Sequence, residues 1–100
     1  MAARSDFSSG VAMPKAETNP EIADEVPWSE HVTAYDERHF IVYIRLLDAS
    51  ADGATDDEMS RVVLGIDPVK EPERARQALD SHLRRARWMT ERGYRDLLSR

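Results

Sequence analysis

Apolar residues recur at helical spacing in three stretches of this chain, and no stretch alternates with the period of a strand. The first predicted helix covers about residues 36–51, with Asp36 as its N-cap and Gly53 as its terminator. At 100° per residue, Phe40, Tyr43, Ile44, Leu47 and Ala51 share one face, read as the core side. Val42, Leu46 and Ala49 form a second apolar strip beside His39. A helix apolar on two sides is either sandwiched or partnered, and the outer strip is read as a docking face. The second helix opens at Thr55-Asp56-Asp57-Glu58, the pattern of a capping box, and ends at Gly65. Met59, Val62, Val63 and Ile66 are its expected buried side; Val62-Val63-Leu64 is too short for a strand.

Residues 65–71 are longer than the three or four residues of a standard helix-turn-helix turn, and Pro68 blocks helix continuation. Pro72 suits the first position of a third helix, expected over about residues 72–91. Its apolar arc is Ala75, Ala78, Leu79, His82, Leu83, Ala86 and Met89. Arg74, Arg84 and Arg85 lie away from that arc, Arg76 and Arg87 flank it, and Trp88 projects nearly opposite. Gly93 is the expected cap, and Tyr94, Leu97 and Leu98 predict a short C-terminal helix folding back onto Trp88. The fold class is therefore all-α: a small extended-turn helix-turn-helix domain of three main helices plus a short C-terminal one, over residues 31–100. Residues 1–30, polar and without periodicity, are expected to be a disordered tail, with Pro27-Trp28 as the first ordered contact.

Charge changes the picture. The net is −5, but residues 1–72 hold six basic and fifteen acidic residues, a net of −9, while residues 73–100 hold eight and four, a net of +4. Free-standing nucleic-acid binders are usually basic, because phosphate neutralisation supplies most of their affinity. The chain has no cysteine, which excludes disulfides and thiolate metal sites, and no apolar run long enough for a membrane span or secretory leader. A cytoplasmic location is expected by default.

No catalytic constellation stands out, so an enzyme is not expected and no cofactor is implied. His31, His39 and His82 lack zinc spacing, and His82 reads as a hydrogen-bonded core histidine. Asp48-x-Ser50-x-Asp52-Gly53 begins like a calcium loop but has Met59 where the closing Glu belongs. The arginines support two readings: a DNA-facing helix using Arg74, Arg76, Gln77 and Arg84, or a solvated face paired with Glu73, Asp80 and Glu91 at helical spacing.

Three collinear blocks carry a resemblance: Tyr35-Asp36-Glu37-Arg38-His39-Phe40 through Gly53-Ala54; Arg61-Val62-Val63-Leu64-Gly65-Ile66-Asp67-Pro68 through Arg76; and Ser81-His82-Leu83 through Leu98, with Arg85-Ala86-Arg87-Trp88-Met89-Thr90 inside it. Over residues 33–98 the chain resembles a proteobacterial mobile-element family of extended-turn helix-turn-helix domains, related to the DNA-binding domain of RovC-like transcription factors. The resemblance implies one of two roles. In activators of the FseA type the domain is positive and follows a separate N-terminal domain. In the QseM-like antiactivators it stands alone, is negative, and occupies the N-terminal domain of an FseA-like activator. An acidic chain with no second domain matches the antiactivators. That implies a monomer with weak or absent DNA binding that restrains conjugative transfer of an integrative element under quorum sensing. The expected protein contacts are His39, Val42, Leu46, Ala49, Trp88 and Tyr94. The alternative is a small DNA-binding regulator using Arg74, Arg76, Gln77 and Arg84.

Overall fold

The computed structural model describes residues 16–93 together with Arg95 and Leu98. All regular structure among these residues is helical: α1 (Ala34–Arg38), α2 (Phe40–Ala51), α3 (Asp56–Glu58) continuing as a wider π-type coil over Met59–Leu64, and α4 (Pro72–Trp88) continuing likewise over Met89–Gly93. Residues 1–15, Tyr94 and Leu97 lie outside the described set, and so do the N-terminal part of the expected tail and most of the expected C-terminal helix. Leu98 is helical and exposed.

The first helix starts earlier than its periodicity suggests. Thr33, not Asp36, is the N-cap: its hydroxyl accepts the Asp36 N–H, while the Asp36 carboxylate accepts the Thr33 N–H, a complete capping box. Asp36 therefore sits at the third helical position, and its carboxylate is turned inward and buried. The helix is interrupted at His39, where α2 begins. The Thr55/Glu58 box of α3 forms as read, with Thr55 N–H to Glu58 Oε1 at 2.8 Å and Glu58 N–H to Thr55 Oγ1 at 3.1 Å.

The two apolar strips of α2 divide differently from the periodicity reading: Tyr43 is buried as expected, in a second cluster, but most of the supposed outer strip is buried too. Val42 and Leu46 are in the core with Met59, Leu64, Ile66, Ala75, Ala78 and Leu79. Ile44, assigned to the core by periodicity, is 58% exposed; Ala51 is exposed, and Phe40 and Leu47 are half-buried at the edge of a second cluster. Periodicity shows that both sides are apolar but not which side α3 and α4 cover. The π-type coil alters α3 similarly. Its wider turn rotates the register, so Val62 is 70% exposed and Leu64 takes the inward position.

The turn over residues 65–71 is the extended linker expected. Gly65 adopts φ +72°, a left-handed conformation that ends the coil. Ile66 then plugs the core, and Asp67 Oδ1 accepts the N–H groups of Val69 (2.9 Å) and Lys70 (3.4 Å). Gly93 is different: its φ is not positive, and a Cβ there would come within 2.7 Å of Met89 Sδ and 2.8 Å of the Trp88 ring. It is required for close packing rather than for a left-handed cap.

The largest departure is in residues 16–33. Expected to be mostly tail, they form an extended strap across α1, α2 and α4. Val26 and Val32 are buried. The Val26 N–H donates to Ser81 Oγ (3.1 Å), the Ala23 N–H to Tyr35 Oη (3.0 Å) and the Glu17 N–H to the Arg38 carbonyl (2.9 Å). Sequence periodicity does not register such a segment because its bonds are made to side chains and helix ends, one residue at a time.

Candidate nucleic-acid interface

The strap is held by a buried cation. Arg85, read as a surface arginine, is fully enclosed, as is Asp36. The guanidinium meets the Asp36 carboxylate at 2.7 Å and donates to the Ser29 carbonyl (2.6 Å) and the His31 carbonyl (2.8 Å). It also lies 3.9 Å from the centre of the Trp88 ring and 4.7 Å from that of Trp28. Every charged atom thus has a partner, the condition under which a buried ion pair is tolerated. Burial alone would push the Asp36 carboxyl up. Arg85, the Thr33 N–H and the Tyr43 hydroxyl (2.7 Å) outweigh it and hold the carboxyl below its ordinary value.

A second polar chain lies beside it. His82 Nδ1 bonds the Ala78 carbonyl (2.6 Å), which fixes a donor there, so Nε2 accepts from Tyr35 Oη (2.6 Å). His82 is a core histidine; burial pushes it down to about 4, so it is neutral in the folded protein at neutral pH. His39 bridges the carbonyls of Tyr35 (2.7 Å) and Glu21 (2.8 Å), tying the strap to α1.

These contacts remove most of the expected protein-facing residues from the surface. His39, Val42, Leu46 and Trp88 are buried in this fold, and Ala49 is half-buried. Tyr94 is outside the described residues. Trp88 packs with Val32, Tyr43, Ala86 and Met89, and Trp28 meets it edge-on at 5.9 Å. The strap widens the buried arc of α4 until it includes both Arg85 and Trp88. The apolar surface that does reach solvent on α2 is the Phe40, Ile44, Leu47 and Ala51 side, with Ile44 most exposed.

The solvent-facing arc of α4 carries Glu73, Arg76, Gln77, Asp80, Arg84, Arg87 and Glu91, three arginines against three carboxylates. The four residues proposed as DNA contacts do not stand alike. Arg74 is held by Asp24 at 2.7 Å and Glu71 at 3.2 Å, and both carboxylates raise its affinity for its proton. Gln77 donates to Glu25 Oε1 (3.2 Å), and Arg84 is paired with Asp80. Arg76 is exposed with no ion pair among the described residues. Arg87, which the sequence reading placed only as a flanking residue, is in the same state and lies on the same arc at eleven residues' spacing, three helical turns. Both line an open groove of about 800 Å³ between α3 and α4, whose other walls include Asp56, Asp57, Pro68, Pro72 and Asp80.

The arrangement is a helix-turn-helix in which the second helix presents a polar arc, flanked on one side by the strap's Asp24 and Glu25 and on the other by Asp56 and Asp57 of α3. No group of His, Asp or Glu among the described residues is placed to hold a metal ion, and no helix among them is long and apolar enough to cross a membrane. A family model described as "T6SS, Transcription factor, DNA binding domain" matches residues 15–99. Its match begins with the strap rather than with α1. No curated protein matches the chain.

Proposed function

The chain belongs to the RovC-type family of transcription-factor DNA-binding domains, and on that premise we propose that it regulates transcription by setting the outer arc of α4 against DNA. The family match over residues 15–99 carries this reading. Arg76 and Arg87 supply the uncommitted positive charge, at a spacing that follows one side of the helix. Gln77 has the amide needed for a base edge. The contact is weak, because Asp80 and the acidic flanks offset the arginines. Each phosphate neutralised contributes about −0.9 to the slope of log affinity against log salt. Two free arginines therefore imply a slope of about −2, far shallower than for a strongly basic domain. Anisotropy titration of a labelled promoter duplex at several salt concentrations tests this. Saturable binding at low salt that weakens in Arg76→Ala supports it; no binding at low salt refutes it.

A second reading is favoured by one observation, the balanced charge of the α4 arc. A helix-turn-helix domain whose reading face carries no net charge also suits a domain retained for a protein surface. In that reading the chain is an antiactivator. It captures the N-terminal domain of a two-domain activator of conjugative transfer, and its docking strip is Phe40, Ile44, Leu47 and Ala51 in place of the buried Val42 and Leu46. Ile44→Asp then abolishes capture of such an activator while the helical circular dichroism stays intact. Unchanged capture removes this strip from consideration.

A further inference from the structure

The strap does more than close the core, because its acidic residues meet α4 at the edge of the polar arc. Asp24 Oδ1 takes the Arg74 Nε–H at 2.7 Å, and Glu25 Oε1 takes the Gln77 amide at 3.2 Å. On either side of these contacts the strap is fixed, at Ala23 by Tyr35, at Val26 by Ser81 and at Ser29 by Arg85. The two carboxylates are thus held in place by a backbone that is itself anchored. All four side chains are exposed or half-exposed, so the contacts are exchangeable, unlike the enclosed Arg85–Asp36 pair.

A carboxylate on a guanidinium occupies the same donors that a phosphate oxygen would take. An acceptor on the Gln77 amide likewise takes a donor that base reading needs. From this geometry we infer that residues 24 and 25 form an autoinhibitory contact: the strap stands in for nucleic acid on Arg74 and Gln77 and lowers the domain's affinity for DNA. The inference rests on the DNA-contact reading above. Binding of DNA must displace Asp24 and Glu25 or leave Arg74 and Gln77 out of the interface. The strap anchors at Val26 and Ser29 are separate bonds, made to Ser81 and Arg85 one and two turns beyond Gln77 on the same face of α4, so turning the Asp24 and Glu25 side chains away does not break them.

The test compares the full chain with Asp24→Asn/Glu25→Gln, using a fluorescein-labelled, mixed-sequence duplex titrated by anisotropy over a range of sodium chloride. A charge-matched control, Glu21→Gln/Glu30→Gln, removes the same charge from the strap at carboxylates that make no hydrogen bond to α4. Circular dichroism checks that all three proteins keep their helices. Removing the Asp24 carboxylate frees the Nε edge of Arg74, while Glu71 stays on Nη1, and is expected to tighten binding by about fivefold at low salt, the scale of an exposed ion pair. It is also expected to steepen the salt slope by about 1, one added phosphate contact. The control is expected to tighten binding less and leave the slope unchanged. Equal behaviour of the two double variants, or no change in either, overturns the inference while leaving the DNA reading in place if the parent chain binds. If neither parent nor variants bind at low salt, both fall.

Discussion

On the strap-facing side of α4, Arg85 is enclosed by a carboxylate, two carbonyls and two indole rings; on the solvent side, Arg76 and Arg87 stand over an open groove with no ion pair among the described residues. The residue type and the helix are the same, and the consequences differ. A buried, fully bonded arginine holds the fold together, and its charge is invisible from outside. An exposed arginine adds little stability but is free to meet a phosphate. The excess of arginine in the last quarter of the chain is therefore a poor measure of its attraction for DNA. Arg85 is spent inside, and Arg74 and Arg84 face carboxylates.

The contrast is broken most severely by charge placed in the core. Leu46 is completely buried in the main cluster, so Leu46→Asp is expected to cost more than about 4 kcal/mol and to unfold a domain this small. Ile44→Asp, two positions earlier on the exposed side, is expected to change stability by less than about 0.5 kcal/mol. Urea denaturation of the pair checks the placement of Leu46 inside and Ile44 outside; a lower midpoint for Ile44→Asp than for Leu46→Asp would restore the periodicity-based assignment.

Removing the buried cation comes next. Arg85→Ala leaves Asp36 enclosed without its partner and detaches the carbonyls of Ser29 and His31, an expected loss of about 3–5 kcal/mol. Arg76→Ala on the opposite side is expected to leave the thermal midpoint unchanged. Equal destabilisation by the two would contradict the division of α4 into a structural and an exposed side.

Acid sharpens the same division. His82 is depressed from 6.5 to about 4 by burial, so between those values the unfolded chain binds one more proton than the folded one. Stability is thus fully present above pH 6.5 and falls as pH drops towards 4, by roughly 3 kcal/mol in all. Asp36, whose carboxyl is held below 3.8, adds its own loss only at still lower pH. His82→Gln is expected to flatten the upper window and leave the lower one, measured by urea titration at stepped pH. A wild-type stability that stays level from pH 6.5 to 4 would contradict the buried, neutral assignment.

Much of the fold was legible in the chain. The Thr55 capping box, the Gly65 stop, the Pro72 start and the long turn are set by local chemistry, and each was read from a few adjacent residues. What could not be read depends on which surface another segment covers. Periodicity shows that α2 is apolar on two sides but does not choose between them. Thr33 and Asp36 also form a capping box pattern, but it is legible only if the third-position acid is Asp rather than Glu or Gln. The strap has no periodicity at all, so neither its burial of Trp88 nor its capture of Arg85 had a local signal. The site suffered most from this. Arg74, Gln77 and Arg84 were visible as candidates, whereas the strap carboxylates on Arg74 and Gln77 come from about fifty positions away. Arg87 could have been found by extending the Arg76 and Asp80 side of α4 by two more turns.

The central claim is the proposal that Arg76 and Arg87 make the phosphate contacts of the outer arc of α4 with DNA. The most direct measurement is the salt dependence of duplex binding by the parent chain and by Arg76→Ala/Arg87→Ala. The expected result is weak, saturable binding by the parent with a slope of about −2 in log affinity against log salt, and a slope near zero in the double variant. A parent slope steeper than about −5, or one that the double variant leaves unchanged, would place the contact on another surface and contradict the account.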